Sequence, residues 1–91
     1  MKTIDEIKQQ LQADGDIHAA IAECTKLIEA NPKNDEPLIE RGLLYWKLGN
    51  RAEAINDYNE AIRINPSSRA VQVKEATYSI LDYYNKDLYN P

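Results

Sequence analysis

A 34-residue period constrains this chain more than any other feature. Residues 35–66, DEPLIERGLLYWKLGNRAEAINDYNEAIRINP, place apolar or small residues at Leu38, Gly42, Tyr45 and Leu48, then at Ala54, Ile55, Tyr58, Ala61 and Ile62. Steps of three and four mark one face of a helix in each half. Shifted by 34, residues 1–32 repeat the pattern with Ile4, Ile7, Leu11 and Gly15, then Ala20, Ile21, Cys24, Leu27 and Ile28. Gly15 matches Gly49, Ala20 matches Ala54, Cys24 matches Tyr58, and Asn31-Pro32 matches Asn65-Pro66. A pair of amphipathic helices cannot bury its apolar face alone, so units repeated at this period stack into a helical solenoid.

Local signals divide the chain. Thr3 caps the first helix and Glu6 completes a capping box. That helix runs to about Ala13 and stops at Asp14-Gly15-Asp16, and its partner follows from about Asp16 to Ala30. Asn31-Pro32-Lys33-Asn34 is a polar linker, and Pro37 lies in the first turn of the next helix, where its missing donor has no acceptor to lose. Gly49 ends that helix and Pro66 follows the fourth. Ser67 or Ser68 caps a last helix whose stripe is Val73, Ala76, Thr77, Ile80, Leu81 and Tyr84, ending between Asn85 and Leu88. The expected organisation is one domain: repeat one over 1–34, repeat two over 35–68, and a capping helix over about 69–88. The last unit of a solenoid needs such a cap for its apolar face.

In residues 35–68 the set Leu38, Gly42, Tyr45, Gly49-Asn50, Ala54, Tyr58, Ala61 and Pro66 resembles the tetratricopeptide repeat family. Repeat one departs from that pattern at Lys8, where the family prefers a small residue, and at Leu27, where it prefers alanine. The resemblance implies an all-α, right-handed α-solenoid of about five helices. It also implies a non-catalytic scaffold that binds a protein or peptide partner.

Composition narrows the remaining classes. The net charge is −4, with no basic stripe to neutralise phosphates, which argues against a nucleic-acid partner. No apolar run approaches the ~18 residues of a membrane span. MKTIDEIKQQLQ lacks the apolar stretch of a secretory signal, so a cytoplasmic protein is the expectation. One cysteine makes no internal disulfide, and no His/Cys cluster has metal spacing, so no metal or cofactor is expected. His18 reads as a solvated surface histidine, and Cys24 as a small core residue without a base to activate it. Asp5, Glu6, Asp14, Asp16, Glu53, Asp57 and Glu60 read as caps and solvated faces, none of them paired for acid–base work. The chain therefore has no expected catalytic residue.

The candidate site lies on helix 35–48. Ile39, Leu43 and Trp46 fall at i, i+4 and i+7, on a stripe turned by about 100° from the face that packs on the partner helix. In repeat one the matching residues are the polar Asp5, Gln9 and Gln12. The resemblance places these positions on the concave groove, with Glu36 and Lys47 among the rim residues and Glu40 beside them. A partner with a basic flank would suit the acidic end. Two other readings stand beside this one. The last helix covers the stripe through Val73, Thr77 and Ile80, or a second copy of the chain covers it in a homodimer. Tyr78, Tyr83, Tyr84 and Tyr89 either coat and pack their own helix or add to such a dimer contact. Some family members clamp acidic tails with basic residues. At the corresponding positions this chain has Asp5, Gln9, Ala70 and Lys74, of which only Lys74 fits, so a clamp is not expected.

Overall fold

The structure, a computed structural model, describes the backbone of residues 1–89 and the side chains of residues 1–79. Five α-helices follow one another among the described residues: α1 (Ile4–Asp14), α2 (Ile17–Ala30), α3 (Glu36–Lys47), α4 (Arg51–Ile64) and α5 (Ala70–Tyr89). Each helix packs on the next, and the α3–α4 contact is the most extensive. This is an all-α solenoid of two helix–turn–helix units and a terminal helix.

The period reappears in the turn hydrogen bonds. The Asn31 N–H donates to the Leu27 carbonyl, and 34 residues later the Asn65 N–H donates to the Ala61 carbonyl. The Asn31 carbonyl accepts from Asn34 N–H at 3.1 Å, and the Asn65 carbonyl accepts from Ser68 N–H at 2.9 Å. Gly15 (φ 67°) and Gly49 (φ 82°) end the first helix of each unit in the left-handed region, where a side chain would add strain.

Helix entries follow the expected cap chemistry. The Glu6 N–H donates to Thr3 Oγ1 at 3.2 Å while Thr3 N–H donates to Glu6 Oε1 at 3.1 Å, a reciprocal capping box. Asp16 Oδ1 accepts from Ala19 N–H at the start of α2. Pro37 is buried in the first turn of α3. Of the two serines before α5, Ser68 does the capping: its buried hydroxyl accepts from Ala70 N–H at 3.1 Å.

The core has two parts. Leu38, Ile39, Ala54, Tyr58, Ala61 and Ala70 form the larger, drawn from α3, α4 and the start of α5. Ile7, Ala20, Cys24 and Leu44 form the smaller, drawn from α1, α2 and α3. Leu44 stands outside the repeated apolar pattern, its counterpart in repeat one being the exposed Gln10. Gly42 owes its identity to close approach, since a Cβ there would lie 2.6 Å from the Tyr58 ring.

A polar tie crosses the middle of the molecule. Arg41 on α3 donates two hydrogen bonds to Asp57 on α4, at 2.8 and 2.7 Å, and a third to Thr25 Oγ1 on α2 at 3.1 Å. Asp57 is buried, which corrects its expected place on a solvated face. A carboxylate removed from water needs such a two-pronged partner. The remaining acidic residues of that set are exposed or half-exposed, as expected. The stripe residues Ile80, Leu81 and Tyr84 lie outside the described side chains, as do Tyr83 and Tyr89.

Candidate functional site

The first and third helices diverge enough to leave a groove of about 250 Å³ between them. Ile4, Ile7 and Leu11 form its α1 wall, Leu43 and Leu44 its α3 wall, and Cys24 of α2 contributes from behind. Lys8, Gln12, Glu40 and Lys47 supply its polar lining. Both walls come from helical periodicity: positions 4, 7 and 11 share one face of α1, and residues 40, 43, 44 and 47 share one face of α3.

The charges around this groove are largely paired within the chain. Lys8 Nζ lies 3.1 Å from Glu40 Oε1, and Glu40 also receives Arg69 Nη2 at 2.9 Å. Arg69 meets Glu36 as well, at 2.9 Å. One ladder therefore links α1, α3 and the residue preceding α5. Each pair has an exposed basic partner, and pairs near the surface contribute ~0.2–1 kcal/mol each, so the ladder matters more for the local field than for stability. Lys47 is exposed and makes no ion pair among the described residues.

The eight residues expected at the site divide accordingly. Gln12, Leu43 and Lys47 come together at the groove. Trp46 is half-buried on the neighbouring stripe, with the Arg51 guanidinium 5.4 Å from its ring centroid, a cation–π arrangement. Ile39 is fully buried in the larger core, where Val73 of α5 also packs, so it offers no surface to a partner. The wide apolar stripe of α3 is thus core at Ile39, groove wall at Leu43, and half-buried against the larger core at Trp46. Glu36 is engaged by Arg69, which neutralises the acidic end expected for a basic partner. Asp5 and Gln9 are exposed on α1 and do not line the groove. Asp5 instead borders a separate hollow with Leu27 and Pro37.

Cys24 is nearly inaccessible, and burial, with a smaller contribution from Glu40, pushes its thiol up to about 11. It stays protonated at neutral pH and acts as a small apolar residue. Lys8, Glu40 and Leu44 were not among the expected site residues. Their signal lay in the contact between repeats, which a single-helix pattern does not reveal. Lys74 donates to Asn59 Oδ1 and lies over the Tyr78 ring, 5.8 Å from Nζ to the centroid. Tyr78 itself is exposed.

Comparison with known proteins agrees with this architecture. The tetratricopeptide repeat family profile matches residues 36–68. Over 67 residues the chain is 34% identical to a protein SGT1 homolog of Oryza sativa subsp. japonica, covering 74% of this chain and 18% of that protein. Over 56 residues it is 36% identical to the peptidyl-prolyl cis-trans isomerase PASTICCINO1 of Arabidopsis thaliana, covering 62% of this chain and 9% of that protein. The chain therefore spans less than a fifth of either of these relatives. A Bacteroides fragilis protein solved by solution NMR is similar along nearly the whole length, with 37% identity and a TM-score of 0.79 over 99% of this chain and 91% of that one. No helix among the described residues is long and apolar enough to cross a membrane. With the repeat signature, the helix order and this full-length neighbour in agreement, the chain belongs to the tetratricopeptide repeat family.

Proposed function

We propose that this protein is a non-catalytic interaction module that holds a partner peptide or protein segment on the face formed by α1 and α3. The observation that carries this reading is the apolar groove between Leu11 and Leu43–Leu44, with Lys47, unpaired among the described residues, in its lining and the half-buried Trp46 on the adjoining stripe. Apolar surface held open beside a few placed polar groups is the usual makeup of a binding site. The partner inserts an apolar anchor against Leu43 and Trp46, and Gln12 and Lys47 provide polar contacts at the edge. The family is built around protein interaction, which supports the same reading. Because Glu36 and Glu40 are paired with Arg69 and Lys8, the rim selects little for a basic flank.

Selection of binding peptides from a random displayed library, followed by ¹⁵N–¹H shift mapping, tests the proposal. The expected result is that selected peptides move the amide resonances of Leu43, Trp46 and Lys47, and that Trp46→Ala weakens binding while helical content is kept. Shifts confined to α2 and α4, or undiminished binding by the Trp46→Ala variant, would overturn it.

A further inference from the structure

Resting on that reading, the two repeats together identify what enters the groove. Cys24 and Lys8, which both line it, stand 34 residues before Tyr58 and Gly42. In repeat two the Tyr58 ring is fully buried against Gly42, whose missing side chain makes room for it. Repeat one has a small thiol in place of the ring and a lysine, paired with Glu40 in the groove lining, in place of the glycine. Two lining positions of the groove, 8 and 24, are thus the counterparts of the pair that seats an aromatic ring one repeat later. The groove's volume of about 250 Å³ exceeds the ~150 Å³ of an apolar cavity that holds benzene and falls short of the ~300 Å³ at which drug-sized pockets begin. That is room for one aromatic side chain. Glu40 is already neutralised by Lys8 and Arg69, so the charge left unpaired at the edge among the described residues is the Lys47 ammonium.

We propose that the α1–α3 groove is a socket for a single aromatic side chain of a partner protein, with a carboxylate next to that ring meeting Lys47. Repeat one receives in trans the ring that repeat two carries in its own sequence.

Titration of the full chain with 3-(4-hydroxyphenyl)propionate, followed by ¹⁵N–¹H shifts, tests this with a defined probe. The expected result is saturable shifts at Ile7, Leu11, Leu43 and Leu44. Tyramine, with the same ring but a cation, should bind at least fivefold more weakly. Cyclohexanepropionate, with the same charge but no flat ring, should also bind more weakly. Cys24→Tyr supplies the ring within the chain and should reduce probe affinity tenfold or more. Lys47→Glu, an exposed change that tests the charge even if the tyrosine variant fails to fold, should reverse the preference between acid and amine. Absence of saturable shifts at these four residues, or an acid–amine preference unchanged by Lys47→Glu, would overturn the socket. Shifts confined to Trp46 and Lys47 would also overturn it while leaving the broader concave-face proposal standing. Concentration-dependent shifts of the same resonances without probe would assign the groove to a second copy of the chain, and so overturn it too.

Discussion

Repeat one and repeat two share a backbone and differ in what fills it. In repeat two, α3 and α4 close around a buried tyrosine, two alanines and a glycine, so a large ring and small neighbours fit together. In repeat one, α1 buries only Ile7, and α2 offers Ala20 and Cys24. The same helical pair is thus built once as a packed platform and once as a partly open wall. A groove forms where the two kinds of unit meet, between Ile4, Ile7 and Leu11 of α1 and Leu43 and Leu44 of α3. Surface left uncovered in this way is the resource of an interaction module, and its cost is a weakly held first helix.

The largest expected asymmetry is in the core. Tyr58→Ala should destabilise by ~3–5 kcal/mol, while Cys24→Ala at the matching place should cost about 1 kcal/mol, both read by chemical denaturation. Equal losses would mean that the two repeats are packed alike. The sharper companion is Tyr58→Phe. The Tyr58 hydroxyl is buried without a hydrogen-bond partner among the described residues, and burial pushes its phenol up, with the Thr77 hydroxyl acting in the opposite direction. The Thr77 proton goes instead to the Val73 carbonyl. Removing an unpaired buried hydroxyl should leave stability unchanged or raise it.

Next is the polar tie. Asp57→Ala leaves the Arg41 guanidinium part-buried without its carboxylate, and should cost about 3 kcal/mol. The double change Arg41→Met with Asp57→Leu should recover most of that loss, since apolar replacements of a buried pair are often neutral. If the double variant is as unstable as the single one, the tie fixes α3 in a way that apolar packing cannot replace.

Smaller again is the pair at the helix crossing. Gly42→Ala forces a methyl group toward the Tyr58 ring and should cost ~1–3 kcal/mol, whereas Lys8→Ala should cost less than about 1 kcal/mol because the lysine is exposed and Glu40 keeps Arg69 as a partner. The cap of α1 belongs to the same small range. Thr3→Ala should cost about 1 kcal/mol. Hydrogen bonds from the Thr3 N–H and hydroxyl hold the Glu6 carboxyl below its ordinary value of 4.5. The contribution of that carboxylate is therefore complete above this range and fades as pH falls through the lowered value. Protection of the α1 amides, taken relative to intrinsic exchange, should fall as pH drops below 4.5, before that of α3 and α4 responds.

Much of this was legible in the sequence, for reasons that are local. Capping boxes, left-handed glycines and proline positions are set within four residues, so Thr3, Gly15, Gly49 and Pro37 could be read without a partner in view. What escaped the reading was set at a distance. Asp57 looked like one more surface acid because Arg41 stands 16 residues away on the opposing helix. Ile39 belonged to the same periodic stripe as Leu43 and Trp46, yet it lies where the start of α5 closes the core. Lys8 and Cys24 read as loose matches to a pattern, and only their shared place beside α3 turns two departures into one groove.

The most direct test of the account uses the single tryptophan. Iodide and acrylamide quenching of Trp46, recorded over a hundredfold range of protein concentration, reports whether the α3 face is open. An open face gives partial quenching that does not change with concentration and falls when a selected peptide binds. A shielded signal that opens on dilution would show that a second copy covers this face. One that stays shielded throughout would show that the chain itself covers it, and either result would contradict the open binding surface.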